Sequence, residues 1–183
     1  MKLLLLFLPA IAMGEMFMGL RVAPEIPCKS YNRKKNFPYS ASKMERAVVR
    51  KHGLMLPYTL RPIKSLKETD LEHLVAAKEA VDSGLCRRTR AEKVAFASDL
   101  DNLTIARPDV NRNGRPDKWS KNLPCLRKFA KDPSEWLPCR NKCWYVFTHM
   151  KVKKKYRLTI DRKEKRAIEK VVKHCKTKDI LRR

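Results

Sequence analysis

The chain contains 183 residues, of which 43 are lysine or arginine and 19 are aspartate or glutamate, so its formal net charge is +24. So one-sided an excess is costly to compact unless the partner is anionic, which disfavours a basic surface kept only for solubility. Charge alone does not choose among nucleic acid, acidic glycans and anionic lipid surfaces.

The chain begins with a pattern that is typical of an export signal. Lys2 precedes an apolar run from Leu3 to Met13 that is too short to span a membrane. We interpret residues 1–14 as a signal peptide cleaved before Glu15, with a second candidate site after Ala12. A buried N-terminal helix is disfavoured because the run has no polar residues at a helical period. No later stretch is long and apolar enough to span a membrane, so we predict a secreted protein without a membrane span. We also expect it to be a monomer.

Six cysteines agree with an oxidising compartment and allow up to three disulfides. The spacing of Cys139 and Cys143 is also compatible with half of a zinc site. The other close pair, His174-Cys175, is adjacent and has the wrong spacing for zinc. Disulfides are therefore favoured for the whole set: Cys28, Cys86, Cys125, Cys139, Cys143 and Cys175.

Residues 15–54 are predicted to form an irregular N-terminal segment. Prolines and the basic cluster Arg33-Lys34-Lys35 favour loop structure that is tied down at Cys28. Within this segment, Ser42 to His52 has the composition of a short helix. Ser42 and Glu45 have the spacing of a capping box at its start.

The middle of the chain alternates short helical and extended patterns. Met55 to Ile63 predicts a strand and turn. Thr69 to Ser83 contains an acidic–histidine pair and then apolar residues at helical spacing. Arg90 to Leu100 predicts a second short helix, and Leu103-Thr104-Ile105-Ala106 predicts a strand. Asp109 to Phe129 is rich in charges and breakers and is predicted to be a long loop.

Two helices are predicted towards the C-terminus. Cys143 to Lys155 mixes aromatic and basic residues, and Asp161 with Glu164 has capping-box spacing before a second helix. The terminal helix has a narrow apolar stripe without aromatic residues and a mostly positive remaining surface. A membrane-active toxin is disfavoured for that reason. The stripe consists of Ala167, Ile168, Val171 and Val172.

The pair Glu72-His73 carries two kinds of chemistry. A carboxylate can hold a hard cation such as Mg²⁺, and an imidazole can take a proton from water near neutral pH. Taken alone, such a pair is more often a surface pair at the start of a helix. Asn102 alone is a turn former, Asn111 alone is a helix N-cap or an amide ligand to a metal, and Arg112 alone is a solvated charge or a phosphate contact.

The order and spacing of these residues carry more information than any one of them. Together with several further blocks they resemble secreted HNH family endonucleases of the ββα-metal superfamily. The resembling stretches run from about residue 55 to the end of the chain. They are Pro57-Tyr58-Thr59, Glu68 to Ala76, Glu79 to Cys86, Phe96 to Thr104, Val110-Asn111-Arg112, Lys131 to Pro138, Cys143-Trp144-Tyr145 and Lys155 to Asp161.

The resemblance implies a role for each matching residue. His73 corresponds to the general base that activates water. Glu72 and Asn111 correspond to ligands of Mg²⁺ or Mn²⁺. Asn102 corresponds to the residue that orients the loop carrying the base, and Arg112 is a candidate phosphate contact.

The resemblance also implies an α+β fold, a mainly helical single domain over residues 55–183 built around a small ββα-metal core. The chain departs from the family by an insertion near 113–130, which suggests that Cys125 and Cys139 pair locally and that the other four cysteines pair among themselves. The implied function is a secreted, metal-dependent endonuclease that cleaves DNA, or RNA, with little sequence specificity. The alternative is a non-catalytic secreted basic protein that binds nucleic acid or acidic glycans.

Overall fold

The computed structural model describes residues 14–58, 60–111 and 141–176. The predicted signal peptide (except residue 14), the insertion near 113–130 and Arg112 therefore lie outside the described residues. The described residues form an α+β fold in which helices predominate over short strands. The helices are α1 (Arg33–Asn36), α2 (Ala41–His52), α3 (Ala77–Asp82), α4 (Arg90–Ala97), α5 (Pro108–Asn111), α6 (Lys142–Lys155) and α7 (Arg162–Val172). The strands are β1 (Met16–Phe17), β2 (Leu20–Arg21), β3 (Met55–Leu56), β4 (Arg61–Pro62), β5 (Asp70–His73) and β6 (Leu103–Ala106).

The strands form three antiparallel pairs, β1 with β2, β3 with β4, and β5 with β6. The predicted strand at Leu103–Ala106 is confirmed, and the strand and turn predicted over Met55 to Ile63 is a hairpin of two short strands. In the pair that matters most here, Glu72 lies opposite Thr104 and His73 lies opposite Leu103. Helix α5 follows β6 after one residue.

The acidic–histidine pair does not lie at the start of a helix. Glu72 and His73 end strand β5, and the helix predicted in this region begins only at Ala77. The segment Asp70–His73 has only one apolar side chain, Leu71, so its sequence lacks the clear alternation of a strand, yet side chains on both of its faces are packed against other parts of the fold. Leu71 packs against the cluster of Val48, Leu56, Ile63, Leu103 and Ile105, and Glu72 is buried on the other face.

The N-terminal segment is more regular than predicted, since it contains β1, β2 and α1. Helix α2 is confirmed, but its predicted capping box is wrong. The N-cap is Ser40 and makes no side-chain capping bond. Glu45 instead accepts a hydrogen bond from the Thr69 hydroxyl at 3.0 Å, which connects α2 to the segment before β5.

The two C-terminal helices are confirmed, and Asp161 caps α7 by accepting from the Glu164 amide at 2.7 Å. The second bond of the predicted capping box, from the Asp161 amide to the Glu164 side chain, is not formed. The Glu164 carboxylate points inward, where it accepts a hydrogen bond from Lys153, and it is almost completely buried. The loop predicted from Asp109 begins as helix, because α5 extends to Asn111.

Two disulfides connect segments that are distant in the sequence, Cys28 with Cys86 and Cys143 with Cys175. The prediction that these four cysteines pair among themselves is confirmed. Cys125 and Cys139, predicted to pair locally, lie outside the described residues. None of the described helices is long and apolar enough to cross a membrane.

A fully buried lysine, Lys153 of α6, joins three helices. Its ammonium donates to Glu79 of α3 at 2.5 Å and to Glu164 of α7 at 2.6 Å. It also donates to the Ser83 hydroxyl and to the Thr159 carbonyl. Burial alone would lower the pKa of Lys153, but the charges and hydrogen bonds of the two glutamates outweigh it and raise that pKa.

Lys153→Met should lower the free energy of unfolding by about 3–5 kcal/mol, because it leaves two carboxylates buried without their shared cation. Lys154→Met, on the exposed neighbour in the same helix, is the matched control and should change stability by less than about 0.5 kcal/mol. Urea denaturation followed by circular dichroism measures both values. Equal stabilities of the two variants would contradict the role given to this cluster.

Candidate active site

His73 lies at the end of β5 with its ring in a pocket of aromatic side chains. The ring stacks on Phe96 at a centroid distance of 6.3 Å and meets the Tyr39 ring edge-on at 5.2 Å. Its Nε2–H donates to the Ala97 carbonyl at 2.9 Å, at the end of α4. This bond fixes the hydrogen on Nε2 and leaves the lone pair on Nδ1.

Burial lowers the pKa of His73 to about 4, and the nearby positive charge of Arg33 lowers it further, against an opposing effect of the Ala97 carbonyl. The imidazole is therefore neutral at neutral pH. A neutral ring with one nitrogen bound to a backbone carbonyl can accept a proton on the other nitrogen, although a pKa of about 4 makes it a weaker base than a histidine whose pKa lies near the operating pH.

Asn102 holds the turn that follows His73. It is completely buried, and its Oδ1 accepts from the Val75 amide at 2.8 Å while its Nδ2 donates to the Val75 carbonyl at 3.4 Å. Its own carbonyl accepts from the Leu74 amide at 2.8 Å. Asn102 lies directly before β6, so these bonds connect the end of β5 to the start of its partner strand. These bonds fit both the turn-forming role and the loop-orienting role considered for Asn102, so its part in a catalytic site stays a prediction.

Glu72 projects from the opposite face of β5, because successive side chains of a strand alternate. Its side chain is buried with only 5% exposure, next to the Tyr58 phenol, and its Oε2 makes no hydrogen bond that satisfies normal geometry. Burial raises the pKa of Glu72 to about 8; the Tyr58 phenol opposes this rise and the charge of Asp70 adds to it. A buried carboxylate under these conditions is stabilised by a cation.

Asp70 shares the face of Glu72, two residues earlier in the strand. Asn111, the last residue of α5, donates from its amide nitrogen to Asp70 Oδ2 at 3.4 Å. Two carboxylates and one amide are thus grouped on this face of the β5–β6 hairpin. Asp70 was not predicted as a site residue; the signal was its spacing of two from Glu72, which is informative only once the segment is recognised as a strand.

Two acidic residues of the resembling stretch Phe96 to Thr104 form ion pairs with lysines and are not part of this group of side chains. The acidic residues of the Asp99-to-Asn102 stretch are held by lysines: Asp99 pairs with Lys155 at 2.8 Å, and Asp101 pairs with Lys51 at 2.8 Å. The hydrogen bond from Lys51 is the main reason why the pKa of Asp101 is lowered. These carboxylates fasten the loop before β6 to α2 and α6.

The predicted base and the predicted ligand Glu72 are therefore on opposite faces of one strand, and Asn111 lies on the Asp70–Glu72 side. Arg112, the predicted phosphate contact, is outside the described residues. In the described part of the chain, no group of three histidine, cysteine, aspartate or glutamate side chains is arranged to hold a metal. Any metal here would depend on the amide of Asn111 beside the two carboxylates.

Comparison with known proteins shows similarity to a secreted protein. The chain is 25% identical over 179 residues to an uncharacterized secreted protein of Arthroderma benhamiae, and the alignment covers 86% of this chain and 81% of that protein. No family model matches the sequence, and no solved structure matches it. The similarity to a secreted protein and the two disulfides agree, and this protein is secreted.

Asn102→Ala should loosen the turn after His73 more than it loosens the rest of the fold. The variant leaves the buried amide and carbonyl of Val75 without partners, at a cost of about 1–3 kcal/mol for each group. Hydrogen exchange of the Val75 amide should therefore accelerate at least about tenfold relative to that of Ala80, which bonds to Ala76 within the start of α3. Equal acceleration at both amides would indicate global destabilisation and contradict a local role.

Proposed function

We propose that this protein is a secreted, metal-dependent endonuclease that hydrolyses phosphodiester bonds of DNA with little sequence specificity. The observation that carries the proposal is the support of His73: a neutral imidazole fixed by the Ala97 carbonyl, followed by a turn that Asn102 holds. It is supported further by the order strand, antiparallel strand, helix in β5, β6 and α5, the order that the resemblance to HNH endonucleases implies.

The chain's own residues would perform the proton transfer. His73 Nδ1 accepts a proton from a water molecule as the water oxygen bonds to phosphorus and the bond between phosphorus and the leaving oxygen breaks. The leaving oxygen takes a proton from solvent. A positioned base of this kind contributes about 10²–10⁴ in rate.

Within this proposal, the cation would bind at the face that carries Asp70, Glu72 and Asn111. These three side chains offer oxygen ligands, and the buried Glu72 Oε2 lacks a hydrogen bond of normal geometry. These residues would hold Mg²⁺ or Mn²⁺, whose charge would offset the negative charge that builds on the phosphate.

The net charge of +24 supports a polyanionic substrate. Lysine and arginine side chains bind phosphates through counterion release, a mode that does not depend on base sequence. Low sequence specificity follows from this mode of binding.

His73→Ala should reduce plasmid cleavage about 10²–10⁴-fold, because it removes the base and leaves the basic surface intact. His174→Ala, on an exposed histidine beyond α7, is the matched control and should cleave like the wild type. Cleavage is measured in a divalent metal with and without EDTA, and EDTA should abolish it. A His73→Ala protein that cleaves DNA as fast as the wild type would contradict the proposal.

The cation site has a test that does not require activity. Mg²⁺ or Mn²⁺ should raise the Tm of the wild type, because a ligand that binds only the folded state stabilises it. Glu72→Gln, which keeps the shape of the side chain but not its charge, should abolish this rise. Glu68→Gln, on an exposed residue just before β5, should retain it. The same metal-induced rise in all three proteins would place the metal elsewhere.

The second candidate function is a non-catalytic basic protein that binds nucleic acid or acidic glycans. The location of His73 and Glu72 on opposite faces of β5 favours it, since a binding module needs no convergence of base and metal. It predicts salt-sensitive binding without cleavage in any divalent metal. Turnover that EDTA abolishes would eliminate this candidate.

A further inference from the structure

A basic segment from the N-terminal part of the chain lies beside His73. This N-terminal arm, defined as residues 28–40, precedes the region that resembles HNH endonucleases. The Cys28–Cys86 disulfide holds its beginning, and Phe37, buried edge-on against Phe96, holds its middle. Since Phe96 also stacks on His73, the arm is packed against the aromatic pocket of the proposed base.

Arg33 is a basic arm residue whose side chain reaches this pocket through Tyr39. Its guanidinium donates to the Tyr39 hydroxyl at 3.1 Å, and the Tyr39 ring contacts the His73 ring. Arg33 is exposed, and among the described residues no carboxylate forms a salt bridge with it.

We propose that Arg33 is the phosphate-binding residue of this site, positioned beside His73 by Tyr39. The inference rests on the proposed nuclease function and names the group that would contact the substrate phosphate. A guanidinium presents several N–H donors in a plane and binds phosphate oxygens in pairs. With one donor occupied by Tyr39, the remaining donors of Arg33 are available to an anion next to the imidazole.

The neighbouring residues fit the same ligand. Lys34 and Lys35 follow Arg33 on the exposed helix α1, and Asn32 fixes the start of that helix by accepting from the Lys35 amide at 2.9 Å. Two further cations therefore continue the surface away from His73. The ligand class is a phosphodiester chain, in which one phosphate contacts Arg33 and its neighbours contact the lysines.

The experiment compares Arg33→Ala, Arg33→Lys and Tyr39→Phe with Arg166→Ala, a matched control on an exposed arginine of α7. The substrate is bis(p-nitrophenyl) phosphate, because a diester with one phosphate cannot reach distant surface cations. Arg33→Ala should lower kcat/KM about 100-fold, as expected when a donor to the reacting phosphate is lost. Arg33→Lys should recover part of this loss, Tyr39→Phe should lose less than Arg33→Ala, and Arg166→Ala should equal the wild type.

Binding of a single-stranded DNA oligonucleotide in EDTA separates failure of this inference from failure of the proposed function. If the wild type cleaves no diester, the nuclease proposal fails, and the binding result alone decides on Arg33. Arg33→Ala should then weaken binding about tenfold more than Arg166→Ala does. Equal effects of the two variants in both assays would overturn the inference, as would an Arg33→Ala protein that loses affinity for heparin only.

Discussion

The buried ion cluster around Lys153 is the interaction on which the arrangement of the site depends. Lys153 binds Glu79 and Glu164, and the second carboxylate oxygen of Glu164 accepts from His149 Nε2 at 2.7 Å. His149 Nδ1 faces the Leu74 carbonyl at 3.1 Å, so both ring nitrogens lie within hydrogen-bond distance of an oxygen atom. The Lys153 ammonium lies between the two carboxylates, and these charges would be costly to bury without one another.

This cluster reaches the candidate site through the turn after β5. The Leu74 carbonyl is held by His149 from one side, and the Leu74 and Val75 backbone is held by Asn102 from the other. The residue directly before this turn is His73. The Glu164–His149 and His149–Leu74 contacts, followed by the peptide unit between Leu74 and His73, therefore connect the cluster of α3, α6 and α7 to the proposed base. The position of the imidazole thus depends on residues that are distant in the sequence.

Elements with a strong local pattern were predictable, and those that depend on distant partners were not. The strand Leu103–Ala106 has β-branched and apolar residues, and α7 has an N-cap and an apolar stripe. Strand β5 was missed because its polar residues become buried only against Tyr58 and Phe96. Lys153 lies in a run of exposed lysines and has no local signal of burial. The roles of Asn102 and Glu72 were suggested by resemblance, while Asp70 and Arg33 required the three-dimensional arrangement.

The location of Glu72 and His73 on opposite faces of β5 has an electrostatic consequence. Had the two side chains formed an ion pair, each charge would have favoured the other, lowering the pKa of Glu72 and raising that of His73. Burial on separate faces instead raises the pKa of Glu72 to about 8 and lowers that of His73 to about 4. At neutral pH these shifts favour a neutral imidazole and a protonated Glu72, so a cation would have to displace the proton of Glu72 in order to bind there. Strand alternation, which separates these two sequence neighbours, is therefore what prevents Glu72 and His73 from forming an ion pair.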